Sequence, residues 1–186
     1  MRIIAGDKRR LRLKTLEGRD VRPTTDRIKE TLFNIIQDEV RGSYFLDLFA
    51  GTGQIGLEAV SRNAGYVVFV EQEKRAADCI RSNIAITKSE QETLLLQRDA
   101  LSALSFLEGK YKFDLIFMDP PYGRDLEKQV LCYLKDSSLL KEDTLLIVEA
   151  ALRTDFSYLD EMGYILVREK LYKTNSHQFI KVRSKV

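Results

Sequence analysis

Apolar residues along this chain fall in short blocks, and the blocks follow two periods. Over residues 44–49, 66–71, 93–98, 113–119 and 144–149 most positions are apolar, the pattern of strands buried on both faces. Between them, residues 54–63, 73–86, 100–107 and 126–134 repeat apolar positions at helical spacing. This alternation predicts an α/β fold, a mostly parallel sheet flanked by helices. Residues 164–171 and 177–183 are also strand-like but are separated only by a short polar stretch, which predicts an antiparallel pair at one edge. At the N-terminus, residues 2–5 and 11–15 alternate around Gly6-Asp7-Lys8, a hairpin signal in which Leu11 and Leu13 pack and Arg12 and Lys14 stay outside. Residues 22–26 supply a turn and a helix cap. Ile28, Leu32, Ile35, Ile36 and Val40 then form the stripe of one amphipathic helix. The expected organisation is a single domain over residues 1–186, an N-terminal hairpin and helix (1–42) on a core (43–186).

In parallel sheets ligands bind beyond the carboxyl ends of the strands, where strand order reverses. Four predicted strands end in an acid there: Asp47, Glu71, Asp99 and Asp119. After Asp47 the chain runs through Phe49-Ala50-Gly51-Thr52-Gly53-Gln54-Ile55-Gly56, and its glycines match G-x-G-x-x-G. Such a turn lets a ligand approach bare backbone at a helix N-terminus. Glu71, followed by Gln72, stands where an acid holds ribose hydroxyls, and Asp99-Ala100 is placed to meet an adenine amino group. NAD and S-adenosyl-L-methionine satisfy these features almost equally, since both present adenosine. Two observations favour the second. Asp47, four residues before the first glycine, would repel a pyrophosphate but bind an ammonium group. Asp119-Pro120-Pro121-Tyr122 has no evident task in hydride transfer. An NAD-dependent oxidoreductase is the alternative from another class, and a non-catalytic RNA-binding module is a third.

The Asp119–Tyr122 stretch suits methyl transfer to nitrogen. An exocyclic amine is a poor nucleophile because its lone pair is delocalised into the ring. Acceptors on its two N–H groups, here Asp119 Oδ and the Pro120 carbonyl, hold the nitrogen and favour its pyramidalisation. Consecutive prolines restrict the carbonyl direction in advance. Tyr122 offers a stacking face worth about 1–3 kcal/mol per base. An aspartate at 119 can also accept from guanine N1–H, which fits a guanine edge better than an adenine edge.

Asp47-x-Phe49-x-Gly51-x-Gly53 together with Asp119-Pro120-Pro121-Tyr122 resembles the S-adenosyl-L-methionine-dependent methyltransferases that act on exocyclic or amide nitrogens. The stretch Arg22-Pro23-Thr24-Thr25-Asp26-Arg27-Ile28-Lys29-Glu30-Thr31-Leu32-Phe33-Asn34-Ile35 and Gly56-Leu57-Glu58-Ala59 narrow the resemblance to the bacterial RsmD family. The resemblance implies a Rossmann-like class I methyltransferase. Its expected reaction is methylation of guanine N2 in small-subunit ribosomal RNA, of the type that acts on guanine 966 of 16S rRNA. It further implies a ribosomal RNA partner within a small-subunit particle or assembly intermediate, and it places Arg22 and Thr24 near the methionine end of the cofactor or the base. The same chemistry on DNA adenine N6 or a protein glutamine is the nearest alternative. The chain departs from the family pattern at Tyr172-Lys173-Thr174, where a glycine is expected after the tyrosine.

Charge adds a partner. The 186 residues carry a net +2, but residues 1–22 and 168–186 each hold +5, which leaves −8 for the core between them. Basic ends on an acidic core fit a polyanion, with Arg9, Arg10, Arg12 and Lys14 as candidate phosphate contacts. No run reaches the roughly 20 apolar residues of a membrane span, and Met1-Arg2-Ile3-Ile4-Ala5-Gly6-Asp7 meets charge too soon for a signal peptide. A cytoplasmic monomer is expected. Cys79 and Cys132 match no metal or redox spacing and are expected to be reduced packing residues. With one histidine, His177, no metal site is expected, and His177 itself is assigned to the surface of an edge strand.

Overall fold

The computed structural model describes residues 1–16 and 26–183. Seven strands make one sheet: β1 (Tyr44–Leu48), β2 (Tyr66–Val70), β3 (Thr93–Leu96), β4 (Phe113–Met118), β5 (Leu140–Ala151), β6 (Tyr164–Leu171) and β7 (Asn175–Val182). Their order is β3-β2-β1-β4-β5-β7-β6. The first five are parallel, and β7 runs antiparallel to both β5 and β6. Helices α1 (Asp26–Ile35), α2 (Gln37–Val40), α3 (Gln54–Ser61), α4 (Lys74–Thr87), α5 (Ala100–Leu107) and α6 (Leu126–Leu134) cover the two faces. This is the mostly parallel α/β architecture with an antiparallel edge that the apolar pattern predicts.

Alternating side chains build two cores. Phe45, Phe69, Phe117, Ile147 and Phe179 pack on one face with α1, α3 and α4 and with Ile3 and Leu13 of the N-terminal arm. Leu46, Val68, Ile116, Leu146 and Ile180 pack on the other with α5 and α6. With no face of the central strands left to water, alternation of polar and apolar residues is absent from their sequences. Helix α3 lies close against β2 because residue 56 is glycine. A Cβ there would overlap the Phe69 ring and come within 2.9 Å of Val67 Cγ1. Gly56→Ala is expected to destabilise the fold by about 1–3 kcal/mol, read as a lower urea midpoint at unchanged m-value.

Several expectations are corrected. The amphipathic stripe forms two helices, because Ile36 leaves helical geometry at φ −103° and ψ 17° while staying buried. The N-terminal hairpin is reduced to one bridge, Arg2 with Arg12, flanked by Ile3 N–H to the Leu11 carbonyl and Leu13 N–H to the Met1 carbonyl, each 3.0 Å. Ile3 and Leu13 face the core, whereas Leu11 is 38% exposed. Cys79 is buried, but Cys132 is exposed and does not pack. The largest correction concerns His177. Strand β7 inserts between β5 and β6, so β6 forms the edge and His177 is fully buried.

The arm is joined to α3 by a carboxylate. Glu58 is fully buried and accepts from Ile4 N–H at 2.9 Å, Ala5 N–H at 3.0 Å and Arg62 Nε at 3.0 Å. Lys29 Nζ of α1, also fully buried, lies 3.3 Å from Glu58 and donates to the Arg2 carbonyl at 2.7 Å. Among the described residues no helix is long and apolar enough to cross a membrane.

Candidate active site

Strand order reverses between β1 and β4, and the candidate residues gather there. Leu48 lies level with Val70 and with Met118. The residues that follow these three, Phe49, Glu71 and Asp119, therefore leave the sheet at one height. Phe49 adopts φ 72°, a left-handed conformation that is strained for a residue with a Cβ. It is held there by its successor, since Ala50 N–H donates to the Val70 carbonyl at 2.9 Å. Gly53, at φ 78°, caps the start of α3. No atom lies within 4 Å of where a Gly51 Cβ would sit, so this stretch of backbone faces open space.

The amide groups of the glycine loop are already engaged. Gly51 N–H donates to Glu71 Oε2 at 2.8 Å, Gly53 N–H to the Ala50 carbonyl at 2.7 Å, and Gly56 N–H to Asp47 Oδ2 at 2.8 Å. A pyrophosphate would need those donors and would meet two carboxylates instead. The donor set thus disfavours a dinucleotide and suits an adenosyl group that carries positive charge. Asp47 is buried, and that burial pushes its carboxyl up to about 7, against the lowering effect of the Gly56 amide and with a further rise from Glu71. Glu71 also accepts from Glu73 N–H at 2.8 Å, which fixes the carboxylate while leaving lone pairs on both oxygens for a diol. Gln72 beside it is exposed. Asp99 caps α5, accepting from Ser102 N–H at 3.0 Å, and the Ser102 hydroxyl first, then its amide, hold the Asp99 carboxyl below the usual range. Ala100 is buried behind it.

In the loop after β4, Asp119 is half-buried, Pro120 is buried and Pro121 is exposed. Tyr122 is 43% exposed and presents its ring at the rim. Beside this loop lies a buried polar cluster that sequence reasoning missed. Asp119 and Glu149 each follow the last paired residues of β4 and β5, Met118 and Val148. Glu149 pairs across to His177. Their side chains meet at 3.0 Å between Oε2 and Nε2, and Asn175 Nδ2 donates to Glu149 Oε1 at 2.5 Å. Tyr172 Oη lies 3.2 Å from His177 Nδ1. Burial first, then the Glu149 charge, pushes the Tyr172 hydroxyl up to about 12. A carboxylate can only accept, so His177 Nε2–H donates to Glu149, and in that tautomer Nδ1 accepts from the Tyr172 hydroxyl. The His177 ring also meets Phe117 and Tyr172 edge-on, with centroids 5.9 and 4.9 Å apart. Tyr172, which immediately precedes the Lys173-Thr174 departure, thus contacts the buried histidine.

The basic candidates are not all brought to this rim. Arg9, Arg10, Arg12 and Lys14 are exposed, but the arm's turn is anchored at the far end of α3. There Asp7 N–H donates to the Ser61 carbonyl at 2.8 Å and Lys8 N–H to Ser61 Oγ at 3.0 Å. Arg9 and Arg10 line a cleft of about 340 Å³ with Arg2, Asp26 and Glu30, away from the glycine loop. Lys14 alone of the four is linked to the loop, through Asn83 of α4. Arg22 and Thr24 lie outside the described residues. Among the described residues, no group of three or more His, Cys, Asp or Glu is arranged to hold a metal ion.

Comparison with known proteins agrees with this geometry. Residues 1–181 match the family model described as Conserved hypothetical protein 95. The chain is 35% identical to Ribosomal RNA small subunit methyltransferase D of Haemophilus influenzae, over 91% of this chain and 88% of that protein. It is also 35% identical to the Putative rRNA methyltransferase YlbH of Bacillus subtilis, over 80% and 82%. Among solved structures, the putative methyltransferase yhhF of Escherichia coli superposes with a TM-score of 0.85 at 29% identity, covering 100% of this chain and 99% of that one. Sheet order, strained glycine loop and matching sequence lead to one assignment: the chain belongs to the Conserved hypothetical protein 95 family, the RsmD family of methyltransferases.

Proposed function

We propose that this protein transfers a methyl group from S-adenosyl-L-methionine to the exocyclic N2 of a guanine in small-subunit ribosomal RNA. The observation that carries the reading is the Asp119-Pro120-Pro121-Tyr122 loop leaving the sheet level with the glycine loop, in a chain of this family. The bound cofactor supplies an electrophilic sulfonium methyl. Gly51 and Gly53 backbone, with Phe49 and Ala50, form its bed, Glu71 accepts from the ribose hydroxyls, Asp99 faces the adenine and Asp47 the methionine ammonium. Asp119 and the Pro120 carbonyl accept from the guanine N2 hydrogens and turn the nitrogen lone pair toward the methyl carbon. Tyr122 stacks on the base. The proton released after transfer goes to Asp119 or water. Residues 1–42 contact RNA phosphates through Arg9, Arg10, Arg12 and Lys14, and Arg22 and Thr24 approach the reacting groups.

The test uses methyl-labelled cofactor and small ribosomal subunits that lack their own modification, followed by digestion to nucleosides. Label in N2-methylguanosine supports the reading. Label in another nucleoside keeps the methyltransferase and overturns the choice of base. Label in protein points to a glutamine or another amide.

Asp47 adds a pH dependence. Its folded-state pKa is raised, to about 7, so its stability contribution is present below the ordinary carboxylate range and is lost as pH rises through about 7. An ammonium group beside Asp47 reverses the preference and favours the carboxylate, so binding releases a proton below that pH. Affinity for S-adenosylhomocysteine is expected to rise about tenfold between about pH 6 and pH 8. Titration calorimetry across that range should show the rise in the natural protein and a flat profile in Asp47→Asn. The same slope in both would remove Asp47 from the cofactor site.

A further inference from the structure

Asn83 is a fully buried polar side chain on the mostly apolar stripe that α4 turns inward with Ala76, Ala77, Ile80 and Ile84. Its carboxamide is saturated. Oδ1 accepts from Lys14 N–H at 2.7 Å, and Nδ2 donates one hydrogen to the Lys14 carbonyl at 3.2 Å and the other to the Thr52 carbonyl at 3.0 Å. Cys79, one turn earlier on α4, also meets the Lys14 carbonyl, with Sγ at 3.5 Å. The two bonds to Lys14 imitate strand pairing and fix the arm just before residues 17–25. The third reaches the middle of the glycine loop, between Gly51 and Gly53.

We propose that Asn83 is a positioning residue that couples cofactor binding to RNA binding, acting through Thr52 on one side and Lys14 on the other. The inference rests on the functional reading above, in which the glycine loop holds the cofactor and the arm meets RNA. A carboxamide is planar, so its three bonds cannot be adjusted independently. The loop it touches contains two glycines and a left-handed Phe49, and a cofactor lying on that backbone fixes where the Thr52 carbonyl points. This orients the carboxamide plane and with it the backbone of Lys14. Coupling of this kind is reciprocal: RNA on the arm raises affinity for the cofactor by the same factor.

The test is a thermodynamic cycle with the full chain, S-adenosylhomocysteine and an unmodified transcript of small-subunit rRNA. In the natural protein the transcript is expected to lower the Kd for S-adenosylhomocysteine about tenfold. In Asn83→Leu, which keeps the branching and number of heavy atoms and removes every bond, the ratio is expected to fall to about one. A merely structural role would weaken both affinities and leave their ratio intact, and that result overturns the proposal. Hydrogen exchange on the natural protein supplies a readout that does not depend on the variant folding. S-adenosylhomocysteine alone should slow exchange of the Lys14 amide, and unchanged exchange despite measurable binding also overturns the coupling. Absence of any S-adenosylhomocysteine binding would instead overturn the functional reading, and the coupling with it.

Discussion

Asp119→Ala is expected to lower kcat for methyl transfer by about two to three orders of magnitude, the scale for removing one group that stabilises a transition state. The Kd for S-adenosylhomocysteine should move by less than about threefold. The expectation follows from where the residue sits. Asp119 leaves β4 level with Phe49 and Glu71, but the loop amides are held by Ala50, Glu71 and Asp47 rather than by Asp119. Under the proposed function, removing its carboxylate therefore leaves the cofactor bed intact and deletes an acceptor that matters most as the nitrogen becomes cationic. Asp119→Asn retains one acceptor oxygen but loses the charge, and its kcat is expected to fall between the two. Single-turnover kinetics with saturating cofactor check this. A variant that raises KM while leaving kcat unchanged would assign Asp119 to RNA binding instead.

Glu58→Ala should produce the largest loss of stability, about 3–5 kcal/mol, because it leaves the fully buried Lys29 ammonium without its carboxylate. Burial already holds the Lys29 ammonium below its ordinary pKa, and the neighbouring Glu58 charge works against that fall. Without Glu58 the lysine must shed its proton or admit water. Two backbone amides, Ile4 and Ala5, lose their acceptor at the same time, each at a cost of about 1–3 kcal/mol if they remain buried. The pair Lys29→Met with Glu58→Leu separates these contributions. It removes both charges, so it should recover part of the loss yet remain less stable than the natural protein, since the amides stay unsatisfied. Urea unfolding of the three variants checks the ordering. Full recovery in the double variant would mean that the arm's amides find water instead.

What the sequence disclosed and what it withheld divide along a physical line. Elements whose signal is local were legible. The bounds 100–107 and 126–134 coincide with α5 and α6, because helical spacing is a property of those stretches alone. The placement of Glu71 and Asp119 at the carboxyl edge was legible for a related reason: an acid directly after a continuous apolar strand emerges there, whereas Asp47, read in the same way, lies within β1 and is buried. Residues whose role depends on a distant partner were not. Glu58 reads as a helix-surface acid until the arm is seen to supply Ile4 and Ala5, and it entered the sequence reading only inside Gly56-Leu57-Glu58-Ala59. Asn83 left a faint signal, a polar residue on an apolar stripe. His177 was misassigned because a hairpin at the end of a sheet does not reveal which of its two strands is outermost. In the structure β7 is inside, and Glu149 and Tyr172 take up the histidine's two nitrogens.

The placement of the arm bears on the kind of RNA this protein can read. Helix α3 has eight residues and spans about 12 Å, with the glycine loop at its start and the anchored turn beside Arg9 and Arg10 at its end. Under the proposed function, those arginines therefore meet RNA about one helix length from the glycine loop, at phosphates other than those of the methylated nucleotide. The target would then be chosen by how a folded RNA spaces its backbone around an extruded guanine. Isolated guanosine or a short single strand would make a poor substrate even with the right base in place, and the footprint would follow the three-dimensional shape of the RNA more closely than the letters beside the site.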